Sequence, residues 1–539
     1  MRVHEAIARA LHDSGVSTIF GLMGIGNMLH ITDFAEAHGG RFVNAVAEGG
    51  AVAMADGFSR ASGSVGVVTV AQGPAFTNTL TALTEAARAR SSLVVLTGRT
   101  PDRRHEPQRF DIGAATLTTG ARYHLVLSAD HVVDDVMRAI AETAASHVPV
   151  VLDIPVPMQD LPVEYAPAGK WATPPQPTAP GDDALDTALG ILAAARRPII
   201  LAGRGAAMAR ARTELEELGA ALGAPLATTL LAKGLFDGLP FNIGMIGTVG
   251  TVTGLDIFRR ADCVGVFGAE LNRFTTADGA LLSGKAVVQC DADPARLGLH
   301  YPATAYLAGD ARLAARAMTG QLVTSGHRPS SFRSERLAEE IRESQAGADF
   351  VDTSSDHAID ARTAMVRLDA LVPEDRLLVT DCGRFMYAPW RYLRVASPAD
   401  FTHTASFGSI GFGIPFAVGM AAARPARTVL GVVGDGGGMM GLLEFSTAVR
   451  FRLPVVIVVL NDGCYGAEYN AFLRYGRDPK HSLLQWPEFA EVARAMGGRG
   501  LTVRTTADLE RAGAMIEDRG GPLLIDVKVD PAVDIGGLE

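Results

Sequence analysis

The segment Thr428–Glu468 reads TVLGVVGDGGGMMGLLEFSTAVRFRLPVVIVVLNDGCYGAE, and its punctuation decides the fold. Thr428–Val433 is a short apolar run of the kind that forms a buried strand. It ends in Gly434-Asp435-Gly436-Gly437-Gly438. Leu442, Leu443, Phe445, Ala448 and Val449 then recur at helical spacing, Val455–Leu460 is a second buried-strand run, and Asn461-Asp462-Gly463-Cys464 follows it. Glycines at the carboxyl end of a parallel strand let backbone amides approach a phosphate, at the end of the sheet where ligands collect. Asp435 and Asp462 each follow such a strand. Neighbouring strands would bring both carboxylates to one point on the sheet edge. There they, a main-chain carbonyl and two phosphate oxygens would supply most of the hard oxygen shell that magnesium prefers.

The same alternation of short apolar runs and helical stretches extends through the chain, the pattern of parallel sheets covered by helices. Upstream, buried strands are expected at Thr18–Phe20, Val65–Ala71, Leu93–Thr97 and Val150–Ile154, then at Pro198–Ala202, Cys263–Phe267 and Ala286–Asp291. Around the opening segment they are expected at Leu377–Thr380 and Leu523–Val527. The proline-rich stretch APAGKWATPPQPTAPGDD after Tyr165 reads as a linker, and the polar stretch from about Thr324 to Asp360, with one charged helix, as a second. The expected fold class is therefore α/β, with three doubly wound parallel-sheet domains over residues 1–165, 183–323 and 361–539.

A chain of 539 residues has room for several cores, and 48% hydrophobic with 20% charged residues is an ordinary globular composition. The formal charge of -10 counts against a nucleic-acid or anionic-membrane partner, which reward clustered Lys and Arg. Cys263, Cys290, Cys382 and Cys464 lie far apart with no C-x-x-C pairing, which suits a reducing cytoplasm rather than a disulfide framework or a zinc site. The N-terminus reads as an amphipathic helix through Val3, Ile7 and Leu11, without the features of a signal peptide. The run Val455–Leu460 is far too short to span a bilayer. A soluble, cytoplasmic protein is expected.

The opening segment resembles the thiamine-diphosphate motif, which begins GDG and closes after the next strand in NN or a variant. The overall layout is similar to the group of acetohydroxyacid (acetolactate) synthases and pyruvate decarboxylases. The resemblance implies thiamine diphosphate held through Mg2+, with Asp435, Asp462 and the backbone of Cys464 as metal ligands. Asp462 stands where Asn is commoner. It also implies cofactor contacts from Gly434, Gly436 and Gly437, from Tyr465 and Gly466, and from Cys382-Gly383 after the strand that ends at Thr380. Ser406-Phe407-Gly408-Ser409-Ile410-Gly411 resembles the segment beneath the cofactor. Ile410 would be the wedge that bends it, and the Gly408 carbonyl would accept from its 4′-amino group.

In the first unit Glu48 ends the run Phe42–Ala47, and a small-residue helix follows to Gly63. An acid there is ordinarily a helix-start device. Glu48 followed by Asp56-Gly57-Phe58-Ser59-Arg60 resembles the family's catalytic pattern, whose glutamate hydrogen-bonds N1′ of the pyrimidine and promotes removal of the C2 proton. Ala47 replaces a frequent His. Gly73-Pro74-Ala75-Phe76-Thr77-Asn78 resembles the turn against the pyrimidine, with Ala75 for a glycine. The three domains would thus be pyrimidine-binding, central and diphosphate-binding, and the active sites would lie between subunits of a homodimer or homotetramer.

Three positions bear on the reaction. Phe20–Asn27 resembles a loop contributing Gly24, with Met23 replacing Pro and Ile25 where decarboxylases carry Asp. Gln108 resembles a glutamine facing the reacting centre in the synthases. Glu468 lies at the spacing after Asp462 where pyruvate decarboxylases place an acid over the substrate. It reads equally as a first-turn helix acid facing water, and a buried carboxyl there would have a raised pKa. His105, on a charged loop, reads as solvated or catalytic. The long C-terminal arm and the acceptor-site tryptophan of the synthases are not found. The expected function is an acetolactate-synthase-like carboligase acting on 2-keto acids. The alternatives are a simple 2-keto acid decarboxylase or a 2-hydroxyacyl-CoA or hydroxyketone lyase. FAD in the central domain would rest on Gly203-Arg204-Gly205 alone.

Overall fold

Each buried run identified above is a strand, and each strand lies in an all-parallel sheet. The computed structural model describes residues 1–101, 103, 105–167, 169, 176–345, 349–518, 520–533 and 535. Much of the first expected linker, at residues 168 and 170–175, and the chain end at 536–539 lie outside the described residues. Among the described residues there are three six-stranded sheets.

The first has the order β2-β1-β3-β4-β6-β5, from β1 (Thr18–Gly21), β2 (Arg41–Asn44), β3 (Gly66–Val70), β4 (Leu93–Arg99), β5 (Arg122–Leu125) and β6 (Val150–Pro155). The second has the order β12-β11-β10-β7-β8-β9, from β7 (Pro198–Ala202), β8 (Leu226–Thr228), β9 (Asn242–Met245), β10 (Cys263–Phe267), β11 (Ala286–Asp291) and β12 (Ala305–Ala308). The third runs β14-β13-β15-β16-β18-β17, from β13 (Arg376–Thr380), β14 (Phe401–His403), β15 (Thr428–Gly434), β16 (Val455–Asn461), β17 (Arg499–Val503) and β18 (Leu523–Lys528).

The strands without a readable apolar run are mostly edge strands. β5, β9, β12, β14 and β17 each end a sheet. β12 alternates buried and exposed residues, and no residue of β5 is fully buried. A strand paired on one side needs no continuous apolar run. The central strands β3 and β16, by contrast, are buried at every residue.

The first and third sheets share one compact unit, made of Met1–Pro175, Ser354–Pro389 and Thr402–Val533. The middle sheet belongs to the other, which includes Gln176–Thr353 and Trp390–Phe401. In the first unit the helix Glu48–Ser62 packs along the helix Gly413–Ala423, and one apolar cluster runs through both regions. The contact is so close that a Cβ on Gly419 would stand 1.9 Å from the Met54 carbonyl oxygen, and one on Gly57 2.2 Å from that of Phe416. The small-residue composition of both helices is what permits this approach.

One expected helix departs from its pattern. Residues 435–450 form a helix Asp435–Gly441, a 3-10 turn Leu442–Glu444 and a helix Phe445–Arg450. The tighter turn shifts the phase, so that Leu443 faces outward (56% exposed) and Glu444 inward (3%). A continuous helical period would have assigned Leu443 to the apolar face.

Candidate active site

The third sheet brings the two candidate metal-ligating carboxylates together. β15 pairs with β16 in a register that puts Gly434 opposite Leu460, so Asp435 and Asp462 leave adjacent strands at the same edge. Asp435 is 3% exposed. Its Oδ1 accepts from the Gly436 N–H (2.8 Å) and its Oδ2 from the Trp486 indole N–H (3.0 Å). Burial, and after it the charge of Asp462, push its pKa up to about 7. Asp462 accepts from the Cys464 N–H at 3.2 Å, and burial raises its pKa too. Two desolvated carboxylates, one of them raised further by the charge of the other, form a donor set that a hard divalent cation relieves. The residues therefore fit magnesium. Among the described residues there is no cluster of three or more His, Cys, Asp or Glu side chains that could hold a metal, so any third protein ligand is main chain or lies elsewhere.

Cys464 pairs with Leu483 in an isolated antiparallel bridge. Its bonds run from Tyr465 N–H to Ser482 O (2.9 Å) and from Leu484 N–H to Gly463 O (2.7 Å), leaving the Cys464 carbonyl outside that pairing. Burial, then Asp462, raise the Cys464 thiol pKa, so the thiol stays protonated. Gly466 begins the helix Gly466–Arg474 directly after Tyr465. Just after the neighbouring strand β13, Asp381 precedes Cys382 and Gly383. The Cys382 thiol is pushed up to about 11 by burial, then by Asp381.

Asp381 also fixes the segment that carries Ile410. Its carboxylate accepts from the Gly411 N–H (2.8 Å) and the Thr404 hydroxyl (2.8 Å). Upstream, Glu85 of the first region accepts from the Ser406 N–H (3.0 Å) and the Phe407 N–H. Gly408 (φ 83°) and Gly411 (φ 100°) take left-handed conformations on either side of Ser409-Ile410.

Glu48 is the first residue of its helix, not the last of the strand: β2 ends at Asn44. Half-buried, it accepts from the Asn78 side-chain amide at 3.2 Å. The amides just before the helix are held by Glu444, which accepts from the Val46 and Ala47 N–H groups (3.0 Å each) and from the Thr447 hydroxyl (2.7 Å). Glu48, Asn78, Ile410, Met440 and Glu444 share the lining of a cavity of about 420 Å³. Asp435, Asp462, Gln108 and Glu468 do not line it.

Gln108 stands against the Gly73-Pro74 turn: its Oε1 accepts from the Gln72 amide (2.9 Å), and its carbonyl oxygen lies 2.5 Å from where a Cβ on Gly73 would be. Gly73 (φ 60°) leads into Pro74 and a short helix that ends before Asn78. Gly24 donates to the Asn27 side chain (2.7 Å), on a loop where Ile25 is 72% exposed. Glu468 is an exposed acid on the first turn of its helix, so within the single chain it is not the buried carboxyl considered above. His105 is exposed at φ 67°. In the middle unit, the Gly203 N–H donates to Phe267 O and the Gly205 N–H to Gly268 O (2.9 Å each), so both glycine amides are spent within the protein.

The sequence reading did not single out Trp486, Glu444 or Glu85. An acid inside the apolar stretch LLEF was a visible signal for Glu444, while Trp486 and Glu85 carried none, because their partners are distant in sequence.

Three models of one family match the chain. These are the thiamine pyrophosphate enzyme N-terminal TPP binding domain over residues 1–115, the central domain over 185–318 and the C-terminal TPP binding domain over 381–527. The large subunit of acetolactate synthase isozyme 3 from Escherichia coli (strain K12) is 30% identical, across 98% of this chain and 94% of that protein. A probable 2-ketoarginine decarboxylase from Pseudomonas aeruginosa is 30% identical, across 94% and 89%. A sulfoacetaldehyde acetyltransferase from Castellaniella defragrans is 28% identical, across 94% and 89%.

Proposed function

This chain belongs to the thiamine pyrophosphate enzyme family, and on that premise we propose that it is a magnesium-dependent, acetolactate-synthase-like carboligase. It would remove carbon dioxide from a 2-keto acid and join the remaining acyl unit to a second carbonyl. The observation that carries the proposal is the paired burial of Asp435 and Asp462 at one sheet edge, together with a half-buried Glu48 elsewhere in the same unit.

Bound thiamine diphosphate supplies the carbon nucleophile and the sink for the electrons released with carbon dioxide. The chain's residues do the rest. Asp435, Asp462 and the Cys464 carbonyl would hold magnesium against the diphosphate. Gly434, Gly436, Gly437, Cys382, Gly383, Tyr465 and Gly466 would surround that end, and Gly24, Gly73, Pro74 and Asn78 the pyrimidine end. Glu48, oriented by Asn78, would hold a proton at a pyrimidine nitrogen. Ile410 would support the cofactor from below, and the Gly408 carbonyl would accept from its amino group. Gln108, beside the Gly73 turn, would face the substrate, and Glu468 would move protons near it once covered by a partner.

The site is proposed to be shared between subunits of a homodimer or homotetramer. The Glu48 cavity of a single chain is not lined by that chain's Asp435 or Asp462, while Met440 and Leu443 expose apolar side chains, 58% and 56% exposed. Four free cysteines and no described helix long and apolar enough to cross a membrane suit the cytoplasm. Ile25, where decarboxylases of the family carry Asp, favours ligation over simple release of an aldehyde.

The test is to supply purified protein with thiamine diphosphate, magnesium and a panel of 2-keto acids, with and without aldehyde or keto-acid acceptors. Carbon dioxide and all organic products are followed, with Glu48→Gln as the blank. Acyloin or acetohydroxyacid products are expected. Free aldehyde alone would make the protein a decarboxylase, and no turnover of any keto acid would move the substrate class to acyl-CoA or hydroxyketone compounds.

A further inference from the structure

Trp486 has an unusual place for a tryptophan. It is half-buried rather than part of the core, and its indole N–H is given to a buried carboxylate, Asp435, at 3.0 Å. The loop that carries it is stitched to the other proposed metal turn. Tyr465 N–H donates to Ser482 O and Leu484 N–H to Gly463 O, one on each side of Cys464. Past the tryptophan, the same loop is anchored by the Phe489 N–H on the Asp526 carboxylate (3.1 Å), and the Trp486 ring leans on Phe489 with centroids 6.5 Å apart. The segment 482–489 therefore grips the Asp462–Cys464 turn with its backbone and the Asp435 turn with one side chain.

We propose that Trp486 is a positioning residue for the metal site. Its indole N–H fixes the plane of the Asp435 carboxylate and ties the two ligand-bearing turns to each other. The proposal rests on the magnesium site described above. Without the indole on Oδ2, the carboxylate keeps only main-chain donors, the amide of its own neighbour Gly436 on Oδ1 and that of Gly463. Its plane is then less tightly fixed, and the side-chain link between the 482–489 loop and the Asp435 turn is lost. An N–H donated to a ligating carboxylate leaves that oxygen's other lone pair for the cation and defines its direction.

The proximity also gives a signal independent of turnover. A cation and diphosphate arriving beside the indole change its surroundings. The chain has only two other tryptophans, Trp171 and Trp390, and Trp390 lies in the other unit.

The experiment is a magnesium titration at fixed thiamine diphosphate, with bound cofactor measured after rapid desalting and tryptophan emission recorded in parallel. Wild type, Trp486→Phe and Trp486→Gln are compared, each also unfolded thermally without ligands. Trp486→Phe keeps an aromatic ring without the donor. It is expected to need about ten-fold more magnesium for half-maximal cofactor retention, the lower end of what loss of such a supporting bond costs a metal site. It should also lose most of the emission change. Trp486→Gln, which restores an N–H donor, is expected to recover part of the affinity. A purely packing role would lower the unfolding temperature and leave the magnesium midpoint unchanged, and that result overturns the proposal. Should Trp486→Phe fail to fold, the glutamine variant and the wild-type emission still decide: unchanged emission on loading, with retention intact, overturns it. A wild type that retains cofactor with no magnesium dependence overturns the metal site itself, an outcome visible without any variant.

Discussion

The first and third sheets have the same strand order, β2-β1-β3-β4-β6-β5 and β14-β13-β15-β16-β18-β17, and the chain uses corresponding exits for different chemistry. β2 leads to Glu48 and the helix Glu48–Ser62, while its counterpart β14 leads to Ile410 and the helix Gly413–Ala423. β3 leads to Gly73-Pro74, and β15 leads to Asp435. The two matching helices pack against each other. The middle sheet has another order, β12-β11-β10-β7-β8-β9, so the likeness is not simply what any parallel sheet shows. The difference between the matching regions lies in how carboxylates are grouped. The third region buries two beside each other, and burial first, then the charge of Asp462, raises the pKa of Asp435, which a cation there would relieve. The first carries Glu48 with one side-chain donor, the Asn78 amide, as would suit the proton-handling role proposed for it. On the proposed roles, a shared scaffold would carry two functions through a few side chains at loop exits.

The largest effects should separate those functions. Glu48→Gln is expected to lower turnover by about 10²–10⁴-fold, the range for a group that moves a proton, with cofactor retention preserved. Asp435→Ala is expected to show the reverse priority, with magnesium-dependent retention lost first and activity lost in consequence. Turnover and bound thiamine diphosphate are measured on the same samples. Retention lost in the glutamine variant, or kept in the alanine variant, would mean that the roles of the two regions are misassigned.

Next in size is the seam. Gly419→Val would drive a side chain into the Met54 carbonyl, which is backbone and cannot rotate away. A cost of roughly 3 kcal/mol or more is expected, since both helices are buried on both sides of the contact. Because one apolar cluster spans both regions, the loss should appear as a lower midpoint for the whole unit in denaturant unfolding. A variant that unfolds with the wild-type midpoint would show that the two regions are not held together along these helices.

How much of this was legible follows the same physics. β15 and β16 could be read because every β16 residue and nearly all of β15 are buried, and glycine and Asp mark their ends. The small residues from Gly49 to Gly63 announced close packing, but not that Gly419 would be the partner. Glu444 and Trp486 act across sequence distances that periodicity does not sample: Glu444 reaches Val46 and Ala47, and Trp486 reaches Asp435. Glu444 also faces inward only because a 3-10 turn interrupts its helix. The joining of the first and third regions into one unit was hidden for a similar reason. Linkers mark where a chain leaves a region, not what that region packs against.

The smallest expected effect tests whether the two regions respond as one. His30 is 2% exposed in the first region, with its Nε2 2.9 Å from the Thr69 hydroxyl. Its pKa is lowered to about 4, by burial first, with His4 adding to the shift and a hydrogen bond to Gln159 opposing it. The folded value lies below the ordinary 6.5, so the stabilising difference is fully present above pH 6.5 and is lost as the pH falls toward 4, because the unfolded chain takes up the proton first. Between pH 7 and pH 5.5 this amounts to about 1 kcal/mol. The comparison that isolates it is wild type minus His30→Gln, which cancels the other histidines. The third region has no buried histidine of its own: His403 is half-buried, and His357 and His481 are exposed. Unfolding followed by Trp486 emission should nevertheless report the His30 slope if the packed helices make the two regions cooperative. A slope seen by backbone circular dichroism but not by Trp486 would mean that the first region loosens alone, and that the helix pair transmits less than its close contact implies.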